Sequence, residues 1–217
     1  PTGEYSVSLY LVTDEKKGTR KHLGSETVKV EEFLPDTLTI KANIDPTAVT
    51  GWIHPDKVEG KVRLGNLFGT PAAGNDVTGQ MSLFPGVQAF PKYRDYRFSD
   101  PYATENTYNE FLGTLTPGDD GTCSFPIDLA KFEKATYRLR FYAEGFEKAG
   151  GRKVSSEDTV FVSPLDYLVG YKADGDLGYI KRDEKRVLSF VAINPALERC
   201  AVSDLTATLT EVRYVSM

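Results

Sequence analysis

The sequence predicts an all-β protein made of immunoglobulin-like, fibronectin-III-like antiparallel β-sandwich modules. Three observations support this prediction. Apolar and polar residues alternate with a period of two in several short segments, which is typical of strands with one buried face. Clusters of Gly, Pro, Asn and Asp separate these segments. No stretch of a dozen residues has a convincing helical period, so we expect sheets to form the core.

The alternation is clearest in residues 58–64 and 136–143, where apolar side chains alternate mainly with charged ones. Similar patterns predict further strands at 5–11, 27–34, 187–193 and 205–214. The best helical candidate is the segment 128–133, in which Asp128 would cap one or two turns. Turn residues are concentrated at 69–76, 117–121 and 149–153.

One long segment lacks alternation. Residues 85–108 contain three prolines and a run of aromatic residues that continues to Phe111. Such a stretch in a compact domain is usually functional or packed by its own side chains. Because aromatic rings bury a large area, we expect them to pack against the sandwich or a neighbouring domain. The candidate aromatic contact surface, which Trp52 would extend if it bound a sugar, consists of Phe90, Tyr93, Tyr96, Phe98 and Tyr102.

Composition and charge exclude several classes of protein. The length of 217 residues fits one to two domains. A net charge of −5 argues against a nucleic-acid-binding protein, which needs a clustered basic face. No apolar run approaches the roughly eighteen residues that a membrane-spanning helix needs. The chain begins at Pro1 without a charged and then apolar leader, so we expect it to be part of a longer protein.

The cysteines and histidines offer no constellation for catalysis or metal binding. Cys123 and Cys200 are too few for a disulfide framework, and their separation favours two free or buried thiols. His22 lies in a charged hairpin and His54 precedes a proline, so neither has a nucleophile placed beside it. We therefore predict no catalytic residue, no cofactor and no metal ligand.

Two acidic clusters are better explained as turns. Asp119 and Asp120 are adjacent in a hairpin turn, whereas paired glycosidase acids face each other from separate elements. The residues 174–176, followed by Asp183 and Glu184, partly match a calcium loop but have no acidic residue at the twelfth position. We predict a β-turn there, with calcium binding as the alternative.

Four motifs resemble the bacterial branch of the α2-macroglobulin family. The segment 24–36 (GSETVKVEEFLPD) is similar to the junction that closes one macroglobulin (MG) domain and opens the next. The other three are NLFGTPAAGNDV at 66–77, EGFEKAGGRKV at 144–154 and SPLDYLVGYKADGDLGYI at 163–180. Because all four occur in order, the chain is identified as a fragment of consecutive MG domains.

The resemblance implies a division into three parts. Residues 1–34 would be the C-terminal hairpin of a preceding MG domain, and 165–217 would be the first strands of a following one. Residues 35–164 would be a complete MG sandwich that carries an aromatic-rich insertion at 85–111. We expect the two end pieces to pair with each other, with the central domain or with another molecule. The interdomain joints would be Phe33, Leu34, Pro35 and Asp36, and Ser163, Pro164 and Leu165.

The resemblance also implies a function. The fragment would be a non-catalytic scaffold portion of a protease-trapping inhibitor that is periplasmic or extracellular. The bait region and any thioester would lie elsewhere in the parent, since neither cysteine stands in a Cys-Gly-Glu-Gln motif. The expected partners are proteases, met through the full-length parent, and neighbouring MG domains, with edge-strand pairing between fragment copies and no nucleic acid. The alternative is a carbohydrate-binding or adhesive module of a cell-surface protein.

Overall fold

The computed structural model describes most of the chain. The described residues are 3–14, 17–30, 37–48, 50–86, 88–100, 102–103, 106–132, 134–147, 153–178, 184–203, 205–206 and 208. Internal contacts divide the chain into two compact units, Pro1–Asp36 and Thr37–Met217. In these ranges, no helix is long and apolar enough to cross a membrane.

The first unit is a two-stranded antiparallel hairpin of β1 (Gly3–Asp14) and β2 (Thr19–Val30). Its register places Tyr5 opposite Val28, and Val7 and Leu9 follow on the same face because side chains alternate along a strand. All four of these apolar side chains are exposed within the hairpin. The predicted joint residues Phe33, Leu34, Pro35 and Asp36 lie outside the described residues.

The second unit contains a β-sandwich, which confirms the predicted fold class. One sheet has three strands in the order β3 (Leu38–Asp45), β5 (Val58–Asn66) and β8 (Thr122–Ile127). The facing sheet has five, in the order β4 (Trp52–Ile53), β10 (Lys153–Val162), β9 (Tyr137–Phe146), β6 (Asp76–Phe84) and β7 (Tyr108–Leu115). Neighbouring strands are antiparallel except for β4, which pairs in parallel with β10. A separate hairpin follows, formed by β11 (Leu168–Ala173) and β12 (Leu188–Ile193).

The alternation in the sequence decides which side chains fill the sandwich. In β5, Val58, Val62 and Leu64 are buried, while Lys61 and Arg63 point outward to solvent. In β9 the buried positions are again every second residue, from Tyr137 to Ala143. The two inner faces meet in one continuous apolar core, as expected for aligned sheets.

One side of the sandwich is closed by side chains rather than by a strand-to-strand ladder. The backbone N–H of Ile44 on β3 donates to the Asp158 carboxylate on β10 at 2.8 Å. Two residues earlier, the N–H of Ala42 donates to the Ser156 hydroxyl at 3.1 Å. Side chains of β10 therefore satisfy backbone donors of the edge strand β3, which would otherwise be buried without partners.

Removing this closure has a predictable cost. We expect Asp158→Ala to lower the free energy of unfolding by about 1–3 kcal/mol, because the Ile44 N–H loses its acceptor in a half-buried position. Urea unfolding measures the change. Glu157→Ala is the matched control on the exposed neighbour, where we expect a change within about 0.5 kcal/mol. Equal effects of the two substitutions would show that the closing hydrogen bond contributes nothing.

Two local predictions differ from the structure. The segment 128–133 contains a single 3-10 turn, Ala130–Phe132, where one or two helical turns were expected. Asp128 accepts a hydrogen bond from the Ala130 N–H at 2.9 Å, so the side chain stabilises a tight turn between two strands. Of the predicted strand 205–214, the described residues 205, 206 and 208 are not in a strand, and the others lie outside the described part of the chain.

Candidate functional site

The aromatic segment builds a second apolar core between the sandwich and the β11–β12 hairpin. We call this contact the aromatic joint. From the sandwich side it contains Trp52, Phe90, Tyr93 and Phe98, and from the later part of the chain it contains Leu168, Val191, Ile193 and Leu197. All eight side chains are buried. The segment without alternation is therefore packed by its own rings, against residues that lie 70 or more positions later in the chain.

Phe98 and Phe90 lie at the centre of the joint. Their ring centroids are 5.2 Å apart in an edge-to-face arrangement, and Phe90 is also 5.4 Å from Phe161. Tyr93 approaches Phe98 at 6.3 Å, again edge to face. Such pairs contribute about 0.5–1.5 kcal/mol each beyond the burial of their area. The ring pairs thus fix the orientation of the packed side chains relative to each other, and they also bury apolar area.

Hydrogen bonds tie the same elements together. Arg97 and Tyr171 exchange two backbone hydrogen bonds of 2.8 and 3.0 Å, which joins the aromatic segment to β11. The Tyr93 hydroxyl donates to the Leu197 carbonyl at 3.1 Å. The Trp52 indole N–H donates to the Leu165 carbonyl at 2.9 Å. Each polar tip of a buried ring therefore has a partner on the far side of the joint.

The predicted joint residues 163–165 run along the base of this core. Ser163 is buried, its N–H donates to the Ile53 carbonyl at 3.0 Å, and its hydroxyl lies 2.8 Å from that of Thr136. The same Ser163 hydroxyl accepts the Leu165 N–H at 3.2 Å. The Leu165 side chain is exposed. The chain is therefore held by its backbone as it leaves the sandwich.

Gly170 permits the closest approach in the joint. A Cβ at this position would lie 2.6 Å from two atoms of the Phe98 ring, well inside van der Waals contact. Phe98 itself is 1% exposed and packs against the rings of Phe90 and Tyr93. Any side chain at position 170 would therefore push the ring away from β11.

An exposed ion pair lies at the edge of the joint. The Lys172 ammonium is 2.8 Å from the Asp95 carboxylate. The hydrogen bond from Lys172 holds the pKa of Asp95 below its ordinary value, and the same contact raises the pKa of Lys172. For Asp95 this stabilisation is present above the ordinary carboxyl pKa and is lost as pH falls through the lowered one. For Lys172 it is present below the ordinary amine pKa and is lost as pH rises through the raised one.

The pair gives a prediction for carboxyl titration. We expect Lys172→Met to raise the pKa of Asp95 toward its usual value, because the hydrogen bond and the positive charge are both removed. Side-chain carboxyl NMR measures the titration directly. Lys41→Met, on the exposed face of β3, is the control and should leave Asp95 unchanged. If Asp95 titrated identically in all three proteins, the Lys172 contact would not form in solution.

The five candidate contact residues are not equivalent. Phe90, Tyr93 and Phe98 are buried in the joint and offer no open face for a sugar ring. Tyr96 is half-buried and stacks edge to face on Tyr93 at 6.3 Å. Tyr102 is 78% exposed. The structure therefore brings four of the five together around the joint.

The remaining candidate residues lie apart from each other. Both cysteines are free thiols, and burial raises the pKa of Cys123. His22 is exposed and contacts the Tyr10 ring, and His54 is exposed beside Asp56 at 3.1 Å.

The acidic clusters form turns in the described ranges. Asp120 accepts hydrogen bonds from the hydroxyl and backbone N–H of Thr122, which lower its pKa. Asp176 accepts the Gly178 N–H at 2.8 Å. Asp183 lies outside the described residues, and the described ones contain no group of three or more potential metal ligands.

The later half of the joint is what sequence reasoning missed. The pattern at 187–193 predicts a strand, but it does not show that Val191 and Ile193 pack on Phe90 and Phe98. Leu197 gave no periodic signal, since it lies in a turn with a φ of 58°. Its only signal is an apolar residue between Asn, Pro and Glu in a polar turn.

Comparisons with known proteins agree with this architecture. A family profile described as the bacterial α2-macroglobulin MG5 domain matches residues 44–164, which is more than half of the chain. The chain belongs to the bacterial α2-macroglobulin family. It is 40% identical over 217 residues to an α2-macroglobulin homologue of Yersinia pestis, covering 100% of this chain and 11% of the relative. It is 37% identical over 215 residues to an α2-macroglobulin of Rickettsia conorii, again covering 11% of the relative.

Solved α2-macroglobulins share the fold. Salmonella α2-macroglobulin reacted with methylamine superposes with a TM-score of 0.60 at 22% identity, over 94% of this chain and 14% of that one. Trypsin-activated α2-macroglobulin from Escherichia coli gives a TM-score of 0.55 at 21% identity, over 90% of this chain and 14% of that one. The family assignment confirms the resemblance read from the four motifs. The chain spans about a tenth of the length of its curated relatives. It corresponds to part of their macroglobulin-domain scaffold.

Proposed function

We propose that the chain is a non-catalytic scaffold portion of a bacterial α2-macroglobulin-like protease-trapping inhibitor and that it transmits position between neighbouring MG domains. The observation that carries this proposal is the aromatic joint, in which the strands after Leu165 pack on the sandwich through a second core. A buried apolar contact resists relative motion more than a flexible linker does. A displacement at one side of the joint is therefore passed to the other.

The proposal that a protease is the partner rests on related proteins. Solved structures of Escherichia coli α2-macroglobulin include one activated by trypsin and one activated by porcine elastase. For this chain, we infer that a protease is met by the full-length parent, whose bait region and any thioester lie outside these residues. A periplasmic or extracellular location of the parent is part of the same proposal.

The hairpin of the first unit supports neighbouring domains as partners. Its apolar face, formed by Tyr5, Val7, Leu9 and Val28, is exposed within the unit. A two-stranded ribbon is marginally stable alone, so a further sheet must cover this face. We infer that the preceding MG domain of the parent provides it. Edge-strand pairing between copies is the arrangement expected when that domain is missing.

The experiment uses the full-length parent. Gly170→Val pushes Phe98 out of the joint, whereas Gly118→Val adds the same side chain in a turn where a Cβ has only ordinary contacts. Each protein is mixed with trypsin, and cleavage of a large protein substrate and of a small peptide substrate is measured. A trap blocks the former and spares the latter. We expect trypsin to cleave the large substrate severalfold faster with Gly170→Val than with the wild type. With Gly118→Val, the rate should equal that of the wild type.

Two results would contradict the proposal in distinguishable ways. If Gly170→Val trapped trypsin as well as wild type while hydrogen exchange showed an open joint, position would not be transmitted through it. If the wild-type parent failed to protect the large substrate from trypsin and elastase, the protease trap would be wrong, and the scaffold assignment would stand on the fold alone.

A further inference from the structure

The outer face of the five-stranded sheet carries an arginine pair between aromatic rings. Arg138 and Arg140 are two residues apart on β9, so they point to the same face, away from the core that holds Leu139. The cross-strand neighbours of Arg138 are Phe84 on β6 and Phe161 on β10. We call Phe84, Arg138, Arg140 and Phe161 the arginine face.

The rings hold the guanidinium groups in place. The Cζ atoms of Arg138 and Arg140 lie 5.0 and 5.4 Å from the centroid of the Phe84 ring, within the range of cation–π contacts. Phe161 is fixed from beneath by Phe90 at 5.4 Å. Because the surrounding rings restrict both side chains, binding a ligand here would require little further ordering.

The positive charge of this face is poorly compensated. Arg138 is exposed, and no ion pair joins it to a carboxylate in the described part of the chain. Arg140 reaches Glu157 only at 3.8 Å, and both side chains are substantially exposed, so the attraction is weak. The Nε of Arg140 is buried without an acceptor among the described residues. This basic face stands out in a chain whose net charge is −5.

Two clefts flank Arg138, and their size indicates what they hold. One, of 220 Å³, lies toward Pro85, and the other, of 210 Å³, lies toward Thr50, with Arg138 and Phe161 lining both. Pockets for whole small molecules usually measure about 300–1,000 Å³. Each cleft therefore suits one or two side chains. Arginine and aromatic residues are also the types enriched at the centres of protein interfaces.

We propose that the arginine face binds an acidic segment of a partner polypeptide. A carboxylate of that segment pairs with Arg138, which lines both clefts, and with Arg140. Apolar side chains on either side of the carboxylate enter the clefts. Charge complementarity selects the acidic residue, because a guanidinium binds a carboxylate through two parallel hydrogen bonds. Because side chains two residues apart in an extended segment point to the same face, a spacing of Leu-x-Glu-x-Leu presents the carboxylate and both apolar side chains to the arginine face together.

The test uses the 217-residue chain and a blocked octapeptide in which a glutamate has a leucine two positions before it and two positions after it, with serine at the other positions. The control peptide has glutamine in place of glutamate. In a titration followed by amide NMR, we expect the shifts to concentrate in residues 84–86, 88–89, 138–140 and 159–161. We expect the Kd to rise about tenfold in Arg138→Gln, since charge-assisted hydrogen bonds are lost. Arg63→Gln, the same change on the outer face of the opposite sheet, should leave the Kd within about twofold of wild type, as expected away from the site.

Several outcomes would overturn the proposal. Equal binding of the glutamine peptide would mean that the clefts recognise apolar side chains without the arginines. Equal shifts with free glutamate or inorganic phosphate, at the affinity of the peptide, would make this a small-anion site. Absence of binding, or shifts that map elsewhere, would also contradict it. Retained peptide affinity in Arg138→Gln and in a second variant, Arg140→Gln, would remove the role of the guanidinium groups.

Discussion

Replacing Phe141 with alanine is expected to lower the free energy of unfolding by about 3–5 kcal/mol. Phe141 is fully buried at the centre of the sandwich, and its ring lies 5.8 Å from that of Phe125 on the facing sheet. The substitution removes a large apolar side chain and leaves a cavity that two hydrogen-bonded sheets cannot collapse around. Phe68→Ala is the matched control, since that ring is 96% exposed, and its effect should stay within about 0.5 kcal/mol. Urea unfolding at equilibrium measures both.

A substitution at Gly60 tests this packing further. Its effect on the free energy of unfolding should change sign when Phe141 is replaced by alanine. In the wild type, a Cβ on Gly60 would meet the Phe141 ring, with Cδ2 at 2.6 Å, so Gly60→Ala should cost about 1–3 kcal/mol. In the Phe141→Ala background the ring is gone, and the new methyl group fills part of the cavity. Replacing glycine also lowers the conformational entropy of the unfolded chain, which favours the folded state. There we expect a gain of about 0.5–1 kcal/mol. Additive effects of the two substitutions would contradict the packing described for this pair.

Phe98→Ala should have a similarly large effect, but at the aromatic joint. We expect the free energy of local unfolding to fall by about 3–5 kcal/mol, because Phe98 is 1% exposed and contacts Phe90, Tyr93 and the backbone at Gly170. The readout is amide hydrogen exchange. Protection should fall in β11, β12 and at Arg97, while β5, β6 and β9 stay protected because they belong to the first core.

The control for this prediction lies on the same segment. Tyr102 is 78% exposed, so Tyr102→Ala should change exchange rates only near the substitution. If Phe98→Ala lowered protection evenly through the sandwich and the β11–β12 hairpin, the two cores would unfold as one unit. If it changed neither, the ring would not be packed as described.

The sandwich was predictable because its signals are local. The alternation in 58–64 and 136–143 depends only on neighbouring residues, and it correctly separates Val62 and Leu139 from the outward charges. Pairing partners were not predictable by the same means. Trp52 lies in a two-residue strand parallel to β10, and its partner Phe161 is more than a hundred positions away. No short-range pattern encodes such a contact.

The site was predicted in part for the same reason. The density of aromatic residues near Phe90 and Phe98 predicted packing, since rings of this size must be buried somewhere. It did not identify Ile193 or Leu197 as the other side of the contact. The arginine face was missed altogether. Arg138 and Arg140 look like ordinary outward residues of a strand, and only the cross-strand register places Phe84 and Phe161 beside them.

The aromatic joint has a consequence for synthesis of the protein. A ribosome releases the chain from the N-terminus, so Phe90 and Phe98 emerge well before Leu168, Val191 and Ile193. Until those residues follow, the sandwich can form, but the rings remain uncovered and prone to aggregate. A chain cut at residue 164, where the MG5 profile ends, would keep this surface open permanently. We therefore expect a unit produced alone to be soluble only if it extends past the end of the profile match, to at least residue 197.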